Sequence, residues 1–152
     1  MVALDALRFI SVFGMAIAAG TLVAVLAGVI PVLRELDARE ALHAKQLLDP
    51  PIDRYQPATV AVATIAGVAI LFWGLSTAEY VCTAVGIAGA LGVAVTSLGF
   101  NVRMNKTMAG WSLDPVPAEF RALLARWSRF HVIRTTFAIV SLTAYLLALL
   151  IG

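Results

Sequence analysis

Four long windows of this sequence contain no Asp, Glu, Lys or Arg. They are Phe9–Leu33, Tyr55–Ala78, Tyr80–Val102 and Thr135–Gly152. A helix of roughly 20 apolar residues crosses the hydrocarbon core of a bilayer. Only 13% of the residues are charged, whereas about a quarter are charged in an average soluble domain. The windows therefore predict four transmembrane helices, at about residues 9–31, 56–75, 80–101 and 131–151.

The predicted spans belong to one all-α domain, residues 1–152, because no linker rich in Pro, Gly or Ser separates them. The tight turn "STAE" at residues 76–79 indicates an antiparallel hairpin, so the expected architecture is an antiparallel four-helix transmembrane bundle. The first connection predicts a short interfacial amphipathic helix at about residues 34–48, with Leu36, His43 and Leu47 on its apolar side. Pro50 and Pro51 are expected to end it.

The other long connection predicts an amphipathic helix at about residues 116–130 that approaches the fourth span and is started by Pro115 and Pro117. Ten of the eleven Lys and Arg residues lie in these two connections or at their ends, and only Arg8 lies on the other side. The protein is expected in the bacterial cytoplasmic membrane, and the positive-inside rule predicts that both termini lie outside. Residues 34–54 and 103–130 are expected in the cytoplasm.

Several functional classes lack their sequence signals. Cys82 is the only cysteine, which excludes an internal disulfide and a cysteine-based metal site. His43 and His131 are the only histidines and no HExxH motif is present, so no metal ligand set is predicted. No basic run with interleaved aromatics lies outside the approach to span four, so the expected partners are membrane lipids and not nucleic acid.

Chemically versatile side chains gather at the entry to the fourth span. Trp127, His131 and Arg134 share one helical face at spacings of four and three residues. Asn101 and Asn105 close the predicted third span at the same membrane level. Capping or loop fixing is the simpler role for Asn105. Trp111, in the following loop, is either an interfacial anchor or a pocket wall.

The segments "FNVRMN" and "PAEFRALLARWSRFHVIRT", with Trp111 between them, resemble the anthrone-oxygenase-like family of small four-helix membrane proteins. The matching positions are Asn101, Phe120, Arg121, Arg126, Trp127, His131, Arg134 and Thr135. The resemblance extends over residues 100–150. The sequence departs from the family at Phe100, where many relatives have proline, and no match is found in the first connection.

The resemblance implies oxygenation of hydrophobic anthrone-type polyketides to quinones without a metal or flavin, so no cofactor is expected. It suggests His131 as the general base and Arg134 as the group that stabilises the developing oxyanion. Trp127 would stack on the planar substrate and Asn101 would bind its phenol or carbonyl. Asn105 and Trp111 are further candidate substrate-binding residues.

A non-catalytic role is the alternative, and the sequence leaves both hypotheses open. The same polar face could seat a partner helix, a quinone or an anionic lipid in a membrane binding or assembly subunit. Such a protein could be a homo-oligomer or part of a larger membrane complex. A transporter fits less well, because the predicted spans carry no charged residue at mid-depth.

Overall fold

The structure, a computed structural model, describes residues 2–152 and confirms the all-α class. These residues form four long helices, which we number α1 (Val2–Glu35), α2 (Ala38–Ile70), α3 (Thr77–Ala109) and α4 (Phe120–Ile151). Consecutive helices run antiparallel, and hydrogen bonds tie each to its neighbours. Hydrogen bonds join α2 to α1 (Gln56 with Ala18), α3 to α2 (Asn105 with Asp53), α3 to α4 (Asn101 with Trp127) and α4 to α1 (His131 with Leu22).

Within residues 2–152, three helices are long and apolar enough to cross a membrane, namely α1, α3 and α4. They indicate an integral membrane protein. The second predicted span, at residues 56–75, is not clear in the structure, because α2 ends at Ile70 and its first half is charged. The apolar part of α2 is therefore shorter than the sequence window suggested.

The separate interfacial helix predicted at residues 34–48 is wrong. Asp37 caps α2 by accepting a hydrogen bond from the Glu40 amide at 2.8 Å, and the helix then continues without a break to Ile70. Pro50 and Pro51 lie on its exposed side, so the carbonyls that lose their helical partners have access to water. The expected apolar side is also wrong, since His43 and Leu47 are exposed and Lys45 is buried.

The predicted approach helix at residues 116–130 is likewise not separate from the fourth span. It begins at Phe120 and runs on as α4 to Ile151. The buried face formed by Phe120, Leu124 and Trp127 continues into the face that carries His131. One continuous helix therefore keeps all of these side chains on the same buried side.

Two π-helical segments interrupt α1 and α3, at Val25–Val29 and Ser97–Asn101. The first precedes Pro31, which lacks an amide hydrogen and would clash with the carbonyl four residues earlier in a regular helix. The wider π turn lets α1 pass through this proline. Asn101 is the last residue of the second π segment, where it is buried and not at a helix end. Such segments are frequent near functional sites.

The close contact between α3 and α4 depends on small residues of α3. A Cβ atom at Gly86 would lie 2.7 Å from the Tyr145 ring, and one at Gly89 would lie 2.8 Å from Ser141 Cβ. The Ser141 hydroxyl donates a hydrogen bond to the Gly86 carbonyl at 2.6 Å. Glycine therefore permits the near approach of the two backbones. In contrast, α2 and α3 diverge enough to leave a groove between them.

Candidate functional site

A cluster of charged and polar side chains lies inside the bundle, where α2, α3 and α4 meet. We call it the polar cluster and define it by its six hydrogen-bonded members, Lys45, Asp49, Asp53, Asn105, His131 and Arg134. Its formal charges balance, because it holds two cationic and two anionic side chains. Burying charges in a bundle is costly unless they are paired and hydrogen-bonded. The cluster is therefore a strong candidate for a functional site.

Lys45 connects two sides of the polar cluster. Its Nζ donates hydrogen bonds to both carboxylate oxygens of Asp49, at 2.9 and 2.7 Å, and to Asn105 Oδ1 at 3.1 Å. The same ammonium group lies 3.5 Å from the centroid of the Trp127 ring, which is a cation–π contact. The Asn105 amide in turn donates to both oxygens of Asp53, at 3.2 and 2.9 Å. Asn105 thus joins α3 to α2 and does not act as a cap.

Burial dominates the protonation of Lys45, whose side chain is 1% exposed. Desolvation lowers the pKa of Lys45 to about 8, although the neighbouring carboxylate of Asp49 acts in the opposite direction. Desolvation also raises the pKa of Asp49, with Lys45 again opposing. The two groups are in direct contact, with 2.7 Å between Lys45 Nζ and Asp49 Oδ2.

His131 and Arg134 form the other half of the polar cluster. The His131 side chain is fully buried, and its Nε2 donates a hydrogen bond to the Leu22 carbonyl at 2.9 Å. Its Nδ1 accepts from Arg134 Nε at 3.2 Å and from Arg134 Nη2 at 2.8 Å. A carbonyl only accepts and a guanidinium only donates, so these contacts fix a neutral imidazole with its proton on Nε2. Both ring nitrogens are engaged.

Asn101 and Trp127 lie next to the polar cluster, and both are buried. Asn101 Nδ2 donates to the Trp127 carbonyl at 3.1 Å, which holds α3 against α4. Within residues 2–152, Asn101 Oδ1 and Trp127 Nε1 have no hydrogen-bond partner. The Trp127 ring packs at 5.1 Å from the His131 ring, and Lys45 covers one of its faces.

The groove between α2 and α3 reaches the polar cluster from the outer surface of the bundle. We call it the α2–α3 groove; its volume is about 430 Å³. Its polar groups come from Asp53, Gln56, Thr64, Ser97 and Arg134. Within residues 2–152, Gln56 Oε1 and Ser97 Oγ are buried without a hydrogen-bond partner. Its remaining walls are mostly apolar and include Val60, Ala61, Ile65, Leu91, Ala94 and Leu98.

The structure brings most of the sequence-predicted residues together. His131, Arg134, Asn101, Asn105 and Trp127 lie in or beside the polar cluster. Trp111 does not, since it packs edge-on against Phe120 at a centroid distance of 6.3 Å in the loop before α4.

Sequence reasoning missed the contribution of α2, namely Lys45, Asp49, Asp53 and Gln56. The signal was available, because these residues recur at intervals of three and four residues and so share one helical face. The expectation that Pro50 and Pro51 end the helix concealed it. His43 is exposed. Within residues 2–152, no three His, Cys, Asp or Glu side chains are grouped as metal ligands.

Comparison with known protein families identifies one family model, described as anthrone oxygenase, that matches residues 52–144. No curated protein and no solved structure matches the chain. The matched region spans more than half of the sequence. It begins just before Asp53 and includes Gln56, both asparagines, His131 and Arg134, whereas Lys45 and Asp49 precede it. The chain therefore belongs to the anthrone oxygenase family.

Proposed function

We propose that this protein oxygenates a hydrophobic, planar phenolic substrate of the anthrone type with O₂, using its own side chains and no cofactor. One observation carries the proposal. The Arg134 guanidinium borders the apolar α2–α3 groove, and its hydrogen bonds within residues 2–152 are those to His131 Nδ1. Arginine has five N–H donors, so several remain for a substrate oxygen.

The α2–α3 groove suits a polycyclic aromatic molecule that arrives from the bilayer. Its apolar walls match the ring system, and the few polar groups at its inner end can orient the oxygen substituents. Gln56 Oε1 would gain the hydrogen bond it lacks by accepting from a substrate phenol, and Ser97 Oγ would gain one by donating to a substrate phenol or carbonyl oxygen. A substrate bound in this way would place its carbonyl oxygen at Arg134.

The chemistry requires one proton acceptor at the start. The anthrone methylene transfers a proton to a carboxylate, and Arg134 stabilises the negative charge that develops on the carbonyl oxygen. The resulting enolate transfers one electron to O₂, and recombination forms a carbon–peroxide bond. Loss of the second methylene proton and cleavage of the O–O bond give the quinone and one water. The four electrons leaving the methylene carbon are those that reduce O₂.

Asp53 is the carboxylate we assign to the first proton transfer. It lines the α2–α3 groove together with Arg134, and hydrogen bonds from Asn105 orient both of its oxygens. The role of His131 as the base stays a prediction. That role would need the Nδ1 lone pair, which already accepts a hydrogen bond from Arg134. In our proposal His131 positions Arg134. The stacking role of Trp127 and the substrate contact of Asn101 also stay predictions.

We further propose that the second half of α2 crosses the membrane with α1, α3 and α4, which gives four spans. It packs along α1 through the Gln56 contact to the Ala18 carbonyl, and Tyr55–Ala78 is free of charge. The cation distribution supports a cytoplasmic location for residues 34–54 and 103–130 and an external location for both termini. The polar cluster would then lie near the cytoplasmic boundary.

Oxygen uptake by the purified protein tests the proposed function. With an anthrone as substrate, we expect one O₂ consumed for each quinone formed and no hydrogen peroxide released. Substrate oxidised at the uncatalysed rate would contradict the proposal and favour a non-catalytic binding or assembly role. Free peroxide in place of water would show that the protein does not complete the O–O cleavage.

A further inference from the structure

We propose that a second groove, between α1 and α4, binds the headgroup of an anionic phospholipid. We call it the arginine groove; its volume is about 520 Å³. Arg34, Arg121 and Arg129 line its polar side, and Ile30, Leu124 and Val132 are among the residues of its apolar side. None of its lining residues is acidic. This inference does not depend on the proposed function.

The three arginines differ in their contacts. Arg121 donates hydrogen bonds to the carbonyls of Leu33 and Leu36, which fixes it across the end of α1. Arg34 and Arg129 are exposed, and within residues 2–152 neither side chain makes a hydrogen bond or ion pair. Positive charge thus converges in a concave surface without a protein anion to balance it. Arginine binds phosphate through paired N–H groups, which suits a phosphodiester.

The place of the arginine groove favours a lipid over a free anion. Arg34 directly follows the charge-free window Phe9–Leu33, and Val132 lies one turn before the charge-free end of α4. The groove therefore lies where the apolar belt of the protein ends. Val132 is 47% exposed and faces the surroundings of the bundle. A phospholipid offers a phosphate for the arginines and acyl chains for this apolar side, whereas a free phosphate would use only the arginines.

Zwitterionic lipids fit the arginine groove less well. Their headgroup carries a cation beside the phosphate, and that cation would face the same arginines. Basic pockets between transmembrane helices are recurrent sites for anionic headgroups, and each nearby Lys or Arg strengthens such binding roughly fivefold. Loss of Arg34 and Arg129 together should then weaken binding by roughly 25-fold if the two contributions are independent.

Native mass spectrometry of the purified, delipidated protein tests this inference. Dioleoyl phosphatidylglycerol and dioleoyl phosphatidylcholine are added separately, so that the two lipids differ only in the headgroup. We expect phosphatidylglycerol to be retained at least several-fold more strongly by the wild type. The Arg34→Gln/Arg129→Gln double variant should retain phosphatidylglycerol no better than phosphatidylcholine. Equal retention of both lipids by the wild type would overturn the proposal.

The matched control is the Arg103→Gln/Arg126→Gln double variant, which loses the same charge at two exposed arginines outside the arginine groove. It should retain phosphatidylglycerol like the wild type. An equal loss in both double variants would show a diffuse basic collar and no defined site. Competition by sn-glycerol 3-phosphate as strong as that by lysophosphatidylglycerol would show a free-anion site instead. Unchanged elution on size exclusion confirms that each variant is folded.

Discussion

Arg134 donates a hydrogen bond to His131 Nδ1 at 2.8 Å, so the histidine orients the arginine and the two act as one unit. The Leu22 carbonyl fixes the opposite edge of the imidazole. A guanidinium held in this way is preorganised, which is the property that makes an oxyanion-stabilising group effective. The same contact keeps the histidine lone pair away from the α2–α3 groove. Under the proposed function, proton abstraction and charge stabilisation therefore fall to different residues.

Asp53→Asn and His131→Gln separate these two roles. Asp53→Asn should lower kcat by about 10²- to 10⁴-fold, because asparagine cannot accept the methylene proton. His131→Gln should lower kcat much less, since glutamine offers one acceptor for Arg134 and one donor for the Leu22 carbonyl. Steady-state formation of the quinone, followed by absorbance, measures both. The reverse order of damage would identify His131 as the base.

Arg134→Lys tests the need for a planar guanidinium. Lysine keeps the charge but loses the fork that contacts His131 and a substrate oxygen together. We expect kcat to fall by about 10²- to 10³-fold, the usual cost of one oxyanion donor. Arg126→Lys is the matched control on the same helix, because Arg126 is exposed. Similar losses in both variants would show that the effect is not specific to the guanidinium of Arg134, and an unchanged kcat in Arg134→Lys would show that its positive charge alone suffices.

The fold was largely predictable because its signals are local. Charge-free windows set the apolar segments, and the order of the four helices follows from their connections. The continuity of α2 was not predictable from Pro50 and Pro51 alone. Contacts far apart in sequence, such as Asn105 with Lys45 and Asp53, hold both halves of α2 on one axis. A helix-breaking residue weakens a helix by a few kcal/mol, which tertiary contacts of this kind can offset.

The candidate site was predictable in part for the same reason. Trp127, His131 and Arg134 share one helical face, so helical spacing alone groups them. Lys45 and Asp53 reach that face only through the packing of α2 against α3 and α4. The residue pattern of one sequence does not show which face of one helix packs against which face of another. The neutral tautomer of His131 also depends on such a contact, since the Leu22 carbonyl that fixes it lies on α1.

Cysteine labelling tests the proposed orientation, with Cys82→Ser as the background. Gly74→Cys lies in the α2–α3 connection, where an added Cβ meets no atom within 4 Å, and it should react with a membrane-impermeant maleimide in intact cells. His43→Cys replaces an exposed side chain on the opposite side and should react only after permeabilisation. Labelling of position 43 in intact cells would invert the topology.

Filling the α2–α3 groove should hinder substrate binding. Ala61 lines this groove, so Ala61→Phe introduces a ring where the polycyclic substrate is proposed to lie. We expect KM to rise at least tenfold with little change in the melting temperature, because the position is exposed. Ala58→Phe is the control, since Ala58 is exposed on the same helix but lines a groove against α1. Equal kinetic effects of both variants would place the substrate elsewhere.

The pH dependence of stability tests the buried state of Lys45. Its pKa is lowered from 10.5 to about 8 in the folded protein, with burial as the largest cause. Between these pH values the unfolded chain binds more protons, so this group favours folding more strongly as the pH rises. The shift corresponds to about 3 kcal/mol. Relative to Lys45→Met, the wild type should therefore gain melting temperature from pH 8 to pH 10.

Lys106→Met is the control for this experiment, because Lys106 is the other lysine of the chain and is exposed. A change with pH that is equally large in Lys106→Met would not be specific to Lys45. At pH 7, Lys45→Met should still be the less stable variant, since it leaves the partly buried Asp49 without its cation. A difference between wild type and Lys45→Met that does not change with pH would show that Lys45 titrates as it does in the unfolded chain. The ammonium above Trp127 would then be hydrated, and the polar cluster would be open to water.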